Sequence, residues 1–361
     1  GLIVVAMSFG IFGVSSGTSS LYESEGRSEH VLPNVVQTAR FIIKFSTAIV
    51  AVAAIVLAIV LMVHGMGPLR SLFQGIWLSV SSFMTVGLVP QSGGVSYYHS
   101  LILEFVLMVL MLLGSINFAL QSEVLRGRVR AFLRDTEIPA AVIWMTCGLI
   151  IFIFSIVGST LLKGLPALLR SGLFTFVAAA TTCGLQMVDS EQMLTVFRSG
   201  LFVLAIAMAI GGCSGYTAGG IKLKRISIIA KAAFETMKLT ASPDSARIVT
   251  NYYHIGRRRL DAAEVKEAMT VFTLFVLVYI IGAMAGMAAG YDAVISFTES
   301  IAMASNGGVS AGIANAAAPL PLKLVYIVEM WAGRLEIVTL LAIFAKLFVS
   351  IRPRKSWFQK D

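Results

Sequence analysis

Three short stretches of the chain place Thr, Ser or Asn shortly before a glycine, each after an apolar segment. They are Thr85, Val86, Gly87 and Leu88; Thr182, Cys183, Gly184 and Leu185; and Asn306, Gly307, Gly308 and Val309. Glycine accepts positive φ, so such turns can direct successive carbonyl oxygens to one side. Carbonyl oxygens that replace a hydration shell are the ligands of potassium filters. One turn alone is an ordinary glycine turn, but three at matching places predict a set of cation-coordinating strands.

A fourth glycine-rich stretch follows an apolar run and precedes a cluster of Lys and Arg. It comprises Gly211, Gly212, Cys213, Ser214, Gly215, Tyr216, Thr217, Ala218, Gly219 and Gly220. Its small residues suit close helix packing, but they also suit a loop that crosses a watery cavity beneath a filter, blocks it and changes shape. The sequence GCSG at 212–215 fits intramembrane serine proteases, which need a His base. None of the four histidines lies inside a later membrane helix, which disfavours the protease.

Two further motif classes fail on spacing. A phosphate-binding loop requires Gly-Lys-Ser/Thr, and Ile221 interrupts that order after Gly220. The three cysteines show no CxxC spacing, so neither a disulfide framework nor a zinc site is indicated.

Charged residues inside apolar segments are expensive and therefore informative. Arg334 lies in the sequence EMWAGRLEIVTL, and an isolated cation at the bilayer centre costs roughly 2.5–3.5 kcal/mol on insertion scales. A partner on the same helix, Glu329 or Glu336, is one explanation. Glu104 receives no predicted role, and Glu299 is expected to accept hydrogen bonds from nearby backbone rather than bind ions.

The elements that must position these residues are membrane helices. The 361-residue chain is 57% hydrophobic and 13% charged, with a mean hydropathy of +0.85. Soluble domains carry about 25% charged residues, so this chain belongs in a bilayer. The net charge of +9 reflects topology rather than nucleic-acid binding, because Lys and Arg cluster in the loops between repeats. That clustering predicts cytoplasmic inter-repeat loops and glycine turns that open outward.

Long and short apolar segments alternate along the chain, which predicts an all-α membrane protein. The long candidates are 41–66, 98–121, 138–162, 193–210, 268–290 and 322–349; the short ones are 68–84, 165–181 and 291–305. Each short segment ends at a glycine turn, so the unit of helix, pore helix, filter and helix occurs three times. Irregular backbone at membrane depth must be buried in protein or line a cavity, so the three turns should surround one axis.

The sequence resembles the potassium-transporting subunit family that includes TrkH and KtrB, and it is most similar to the TrkH branch. The resemblance rests on GGCSGYTAGGIKLKR (211–225), LLGSINFALQSEVLRGR (112–128), SNGGVSAG (305–312) and MWAGRLEIVTLLAIF (330–344). It implies four potassium-channel-like repeats, of which three are visible. Residues 1–14 resemble the end of the first repeat's outer helix, so the chain is expected to be N-terminally truncated. The remaining expected units are 36–135, 136–240 with the gating loop, the cytoplasmic linker 241–266, and 267–361.

The resemblance also implies roles and partners. Residues 211–220 would be the gate, and Arg334 would project into the pore below the filter, where its charge raises a barrier for cations. A homodimer with one pore per chain is expected in the cytoplasmic (inner) membrane of a bacterium. A TrkA-type nucleotide-binding ring is expected on the cytoplasmic side. Potassium would be the substrate, with no other cofactor.

Potassium uptake is therefore the predicted function, with no enzymatic activity. The alternative from another class is a sodium- or proton-coupled secondary transporter built on a discontinuous helix. That alternative predicts inverted repeats, whereas the three units here all begin from the basic side. The absent first filter strand leaves potassium against sodium open.

Overall fold

Apolar helices of two lengths make up most of the chain. The computed structural model describes residues 35–91, 93–157, 165–188, 190–214, 218–243, 250–254, 256–334, 337–338 and 340–341. The helices are α1 (Val35–Val63), α2 (Pro68–Phe83), α3 (Leu101–Ser115), α4 (Phe118–Leu125), α5 (Val129–Arg134), α6 (Glu137–Ile156), α7 (Leu165–Ala180), α8 (Ser190–Val196), α9 (Leu201–Ile210), α10 (Leu223–Thr240), α11 (Ala262–Ala288), α12 (Ala293–Ala304) and α13 (Leu320–Arg334). Short 3-10 helices cover Gly94–Tyr98 and Arg198–Gly200. The predicted unit at 1–14 lies outside the described residues. So do three residues of the predicted gate, Gly215, Tyr216 and Thr217.

Three of the described helices are long and apolar enough to cross a membrane. They contain Arg40–Val63, Glu137–Ile156 and Ala262–Ala288, with α3 and α4 as a fourth candidate if they count as one span. Large apolar side chains such as Ile55, Phe105 and Phe154 are exposed on these helices. A lipid environment accounts for such faces, since bilayer tails are as apolar as the side chains. The fold class predicted from the sequence is confirmed.

The prediction of one continuous helix over 98–121 is wrong. The chain breaks after Ser115, and α3 and α4 meet at a bend of 103°. Asn117 caps α4, because its Oδ1 accepts from the Ala119 N–H at 2.8 Å. The Gln121 amide then donates to the carbonyl oxygens of Leu113 at 2.7 Å and Ile116 at 3.0 Å. These side chains satisfy backbone groups that the break leaves without a partner in the helix. Polar residues such as Asn117 and Gln121 within an apolar run therefore mark a helix break.

The segment predicted as one helix over 193–210 is also interrupted. Helix α8 ends at Val196, a 3-10 turn follows, and α9 begins at Leu201. Phe152 from α6 packs at this interruption, with ring-centroid distances of 5.7 Å to Phe197 and 5.9 Å to Phe176. Aromatic packing between α6, α7 and the 3-10 turn thus fixes the interruption.

Each short helix packs closely on the long helix that precedes it. A Cβ built on Gly75 of α2 would lie 2.6 Å from the Ala54 carbonyl oxygen of α1. A Cβ on Gly286 of α11 would likewise lie 2.8 Å from the Ser296 side chain of α12. Small residues at such crossings let two backbones approach, which is the common basis of helix association in membranes.

A two-stranded hairpin lies within the segment predicted only as a cytoplasmic linker. Strands β1 (Asn251–His254) and β2 (Gly256–Arg259) pair antiparallel, and α11 begins at Ala262. The Tyr252 hydroxyl donates to the Glu264 carboxylate at 2.9 Å. Burial, and then this hydrogen bond, raise the pKa of Tyr252, so it remains a donor at neutral pH. The hairpin is therefore fastened to the start of α11.

Candidate ion pathway

The three predicted filter turns, numbered second (85–88), third (182–185) and fourth (306–309) after the repeats that the resemblance implies, share one backbone conformation. Thr85, Thr182 and Asn306 are left-handed, with φ of 49°, 51° and 52°. Two residues later, Gly87, Gly184 and Gly308 have φ of 76°, 79° and 70°. Non-glycine residues with positive φ are uncommon, and Thr is especially disfavoured there because its Cβ is branched. The repetition of this conformation at three separate places indicates a common structural requirement.

Each turn begins with the same pair of helix-ending hydrogen bonds. Val86 N–H donates to Ser81 O at 2.8 Å, Cys183 N–H to Ala178 O at 2.9 Å, and Gly307 N–H to Ala302 O at 2.8 Å. The preceding residue in each turn donates to the carbonyl three residues back. This is the Schellman arrangement, in which a left-handed residue satisfies the last carbonyls of a helix. The ends of α2, α7 and α12 therefore carry the partial negative charge of their helix dipoles into the turns.

The three turns approach one another closely. A Cβ on Gly87 would overlap the Cys183 carbonyl oxygen, and a Cβ on Gly184 would lie 2.6 Å from the Cα of Gly308. At these glycines the backbone of one turn contacts the backbone of another. The turns in contact come from segments that are far apart in sequence. The predicted residues of the three strands are consequently neighbours in space.

The second strand differs from the others at its end. The Leu88 carbonyl oxygen accepts from Ser81 Oγ at 2.7 Å and from Trp77 Nε1 at 3.1 Å, both on α2. The Val86 and Leu88 side chains are more than half exposed. The Leu88 carbonyl, predicted as a cation ligand, is therefore engaged by its own short helix.

The fourth strand is held by a buried carboxylate. Glu299 accepts from Ser310 Oγ at 2.7 Å, from Ala311 N–H at 2.7 Å and from Ala314 N–H at 3.0 Å. The sequence analysis expected Glu299 to bind nearby backbone, and the structure shows this arrangement. Behind the turn, Met208 packs where a Cβ of Gly307 would lie.

Gln186 joins the strands and was missed by the sequence analysis. Its amide donates to Ser310 O at 3.3 Å, while its own carbonyl oxygen accepts from Val95 N–H at 3.1 Å. It follows the third glycine turn directly, so its position next to Leu185 was the available signal. Gln186 thereby connects the segments that follow all three turns.

The described part of the predicted gate lies against the third and fourth turns. Gly219 N–H donates to Thr182 Oγ1 at 2.7 Å. A Cβ on Gly219 would overlap the Ser305 carbonyl oxygen at the end of α12. Only a residue without a side chain fits this position. The loop between α9 and α10 thus contacts a residue of the predicted filter directly.

The opposite side of this loop is tied to the break between α3 and α4 and to the start of α6. Cys213 N–H donates to Ser115 O at 3.1 Å, at the break between α3 and α4. Ser214 N–H donates to Glu137 Oε1 at 2.8 Å, at the start of α6. Leu223 N–H donates back to Gly212 O at 3.0 Å. The loop is therefore held by the break between α3 and α4, by the start of α6 and by the predicted filter residue Thr182.

A buried cluster of Asp135, Glu137 and His254 connects the loop to the hairpin. The ligand-type atoms of the three side chains lie within 4.8 Å of one another. His254 Nδ1 lies 3.1 Å from Asp135 Oδ2. Thr136 adds two bonds to Tyr253, one from its N–H at 2.7 Å and one to its Oγ1 at 3.1 Å. Sequence reasoning missed the cluster because 119 positions separate Asp135 from His254.

This cluster corrects one argument against a protease. His254 lies in the hairpin, outside the membrane-helix candidates, but it is buried in the same cluster as Glu137, whose carboxyl accepts from the Ser214 N–H. Within the described residues, however, Ser214 Oγ has no hydrogen-bond partner. A serine nucleophile needs its base within hydrogen-bond reach. The interaction of Ser214 in this structure is the backbone bond to Glu137.

Arg334 ends α13 next to the fourth turn. A Cβ on the preceding Gly333 would overlap the Ala304 carbonyl oxygen and lie 3.2 Å from Asn306 Nδ2. The Arg334 side chain is exposed. Glu329, one of its two suggested partners, directs Oε1 to Ser300 Oγ at 3.0 Å; Glu336 lies outside the described residues. The backbone of Arg334 thus lies at the base of the predicted filter.

Glu104, to which the sequence analysis gave no role, forms an ion pair with Arg170. Arg170 Nε donates to Glu104 Oε2 at 2.7 Å, and Arg170 Nη2 contacts Oε1. Glu104 is buried in α3, and Arg170 belongs to α7. The pair joins the second predicted repeat to the third.

Comparison with known proteins identifies the relatives of this chain. An uncharacterized cation transporter of Methanocaldococcus jannaschii is 29% identical over 92% of this chain and 65% of its own length. The Trk system potassium uptake protein TrkH of Salmonella typhimurium is 28% identical over 96% of this chain and 70% of its own length. The chain thus spans about two thirds of these relatives.

A solved structure agrees with the fold. The crystal structure of the potassium transporter TrkH from Vibrio parahaemolyticus matches with a TM-score of 0.74 at 21% identity, covering 96% of this chain and 70% of that one. The sequence model of the TrkH family, described as cation transport protein, matches residues 1–352. The family match and the apolar helices together show that this chain is a multi-pass membrane protein and belongs to the TrkH family of cation transport proteins.

Proposed function

We propose that the full-length protein carries potassium into the cell across the cytoplasmic membrane, through a filter that includes the three turns. The observation that carries this proposal is the repeated conformation of Thr85–Gly87, Thr182–Gly184 and Asn306–Gly308, with their glycines in mutual backbone contact. Such turns present carbonyl oxygens at the ends of helix dipoles, which favours a cation over an anion. Relatives named as potassium uptake proteins support potassium as the ion.

The loop between α9 and α10 is the proposed gate. Its bond from Gly219 to Thr182 Oγ1 puts backbone at the base of the filter, where an ion leaving the filter would pass. Conduction then requires that this bond and the contact with Ser305 be broken. Among the described residues, the backbone hydrogen bonds of Cys213, Ser214 and Gly219 oppose that movement, each worth about 1 kcal/mol net.

A cytoplasmic signal would reach the gate through the hairpin. His254, Asp135 and Glu137 form a buried chain of contacts that ends on Ser214 in the gate loop. The hairpin also presents Arg257 and Arg259 near the cytoplasmic ends of the helices. A TrkA-type nucleotide-binding ring bound there would act on the gate through this route, and a homodimer would match the symmetry of such a ring.

The test is cation uptake by vesicles that contain the full-length protein. Rubidium uptake that exceeds sodium uptake supports the proposal, and a ring subunit should change its rate. Vesicles with no cation flux above empty controls would refute it. Uptake that proceeds only with an imposed sodium or proton gradient would instead support a coupled secondary transporter.

Arg334→Ala tests the proposed barrier. Removal of a fixed positive charge near the ion path should raise flux by on the order of fivefold, since a charge a few ångströms from the path is worth about 1 kcal/mol in high dielectric. Arg198→Ala, at an exposed arginine of the 3-10 turn, is the matched control. Unchanged or lower flux at equal expression would contradict the role of Arg334.

A further inference from the structure

We infer that Glu329 forms a proton-binding site behind the fourth filter turn, and that its proton controls cation flux. This inference rests on the proposed function, because it assigns a regulatory ligand to the same pathway. Glu329 lies in α13, at the contact of α13 with α11 and α12, and is buried. An ionisable residue at membrane depth is costly to retain, which points to a role.

The Ser300 hydroxyl lies within hydrogen-bond distance of two oxygens but has one proton. Ser300 Oγ lies 3.0 Å from Tyr279 O and 3.0 Å from Glu329 Oε1. A serine hydroxyl has one hydrogen, and a backbone carbonyl can only accept. If Glu329 carries a proton on Oε1, it donates to Ser300 Oγ, and Ser300 donates to Tyr279 O. Both distances are then true hydrogen bonds, so the geometry matches the protonated carboxyl.

A group of buried hydroxyls lies one helical turn away. Ser296 lies four residues before Ser300 on α12, and Tyr326 three residues before Glu329 on α13. A Cβ on Gly286 would lie 2.8 Å from Ser296 Oγ and 3.2 Å from Tyr326 Oη, so the two hydroxyls flank the same point of α11. Within the described chain, Ser296 Oγ, Tyr326 Oη and Glu329 Oε2 have no hydrogen-bond partner. Buried polar atoms seldom stay unsatisfied, so such a group indicates a mobile proton or water.

The packing favours a proton over a metal ion. A Cβ on Gly282 would overlap the Glu329 carboxyl and lie 2.5 Å from Ser300 Oγ, so α11 closes directly on the group. Hard metal ions take about six oxygen ligands, which needs a cavity. A proton needs no volume, and hydroxyls can both accept and pass it on.

The site is connected to the filter through the next residue. Asn306, the left-handed residue of the fourth turn, donates from Nδ2 to Met330 O at 3.2 Å. Movement of α13 on protonation of Glu329 would therefore act on the fourth turn. The ionised carboxylate would also temper the positive charge of Arg334, so flux should rise when the proton leaves.

The other titratable groups near the site come from all the elements packed on it. They are Tyr279 on α11, Glu299 on α12, Tyr291 just before α12, and Tyr326 and Arg334 on α13. The Glu299 carboxylate already accepts three hydrogen bonds from the loop at 310–314. Among the described side chains, Ser300 is the hydroxyl that contacts the Glu329 carboxyl, so protonation of Glu329 changes this one side-chain hydrogen bond.

Infrared difference spectroscopy of the full-length protein in membranes tests proton binding without flux. A pH jump should produce a carboxyl C=O stretch that shifts in heavy water and disappears in Glu329→Gln. Glu267→Gln, at an exposed site on α11, should leave the band unchanged. A band that persists in Glu329→Gln, or no carboxyl band at all, overturns the site.

Flux measurements test control. Potassium uptake by the wild type should rise on the order of fivefold as pH increases, as expected for one charge near the path. Glu329→Gln should remain at the low-pH rate throughout, and Ser296→Ala should shift the midpoint of the wild-type curve. Equal pH profiles for wild type and Glu329→Gln overturn the inference. Wild-type protein without flux refutes the proposed function instead, while the infrared result still decides proton binding.

Discussion

At the scale of residues, Gly184 of the predicted filter differs from Gly290 in what surrounds it. Gly184 and Gly290 both have positive φ, at 79° and 92°. Around Gly290, a Cβ would meet nothing within 4 Å, whereas at Gly184 it would lie 2.6 Å from Gly308 Cα. Backbone strain is thus common to both positions, and only Gly184 adds a collision between strands.

Gly184→Ala should therefore abolish uptake, and Gly290→Ala should leave it nearly intact. Each replacement places Ala at positive φ, with a cost of about 1 kcal/mol. At Gly184 the added methyl group should also displace the fourth strand. The measurement is a loss of rubidium uptake, or a loss of the selectivity for rubidium over sodium. Equal uptake by the two variants, at matched amounts of protein in the membrane, would contradict a filter role for Gly184.

At the scale of elements, the start of α6 holds the gate loop. Glu137 Oε1 accepts the Ser214 N–H, and the adjacent Asp135 contacts His254 of the hairpin. Hydrogen bonds to a charged acceptor are roughly twice as strong as neutral ones. The loop between α9 and α10 is consequently restrained by a hydrogen bond to the Glu137 carboxyl at the start of α6.

Glu137→Gln should raise basal uptake about fivefold, because a loss of about 1 kcal/mol in this restraint favours the open loop by that factor. Uptake without any cytoplasmic partner is the measurement. Glu267→Gln, at an exposed site on α11, is the control. Reduced basal uptake in Glu137→Gln would show that the bond supports the open state instead.

At the scale of the whole molecule, an ion pair joins two predicted repeats. Glu104 on α3 is buried and meets the partly exposed Arg170 on α7. Removal of one partner from a buried pair leaves an uncompensated charge, whereas removal of both is often nearly neutral. The pair therefore matters more for docking of the repeats than for the stability of either helix.

Arg170→Met should lower stability by about 2 kcal/mol, below the range for fully buried pairs because water reaches Arg170. Thermal unfolding in detergent measures the change. The double variant Glu104→Leu, Arg170→Met should recover most of the lost stability. A double variant that unfolds below the single one would contradict this account.

The sequence by itself determined the helices and the places of the turns. Apolar length and glycine position are local properties, so the bounds of α2, α7 and α12 were predicted closely, and the fold class with them. The hairpin and the break at Ile116 were missed. The composition of a polar linker does not show whether its strands pair, and the composition of an apolar run does not show whether its helix is continuous.

Tertiary structure alone decided which distant residues meet. Four contacts join positions that lie from 37 to about 120 residues apart in the sequence. They are Gly184 with Gly308, Gly219 with Thr182, Asp135 with His254, and Glu104 with Arg170. Side-chain type indicates what a residue can bind, but helix packing selects its partner. For that reason the sequence could name the candidate filter and gate, and only the fold could show that they touch.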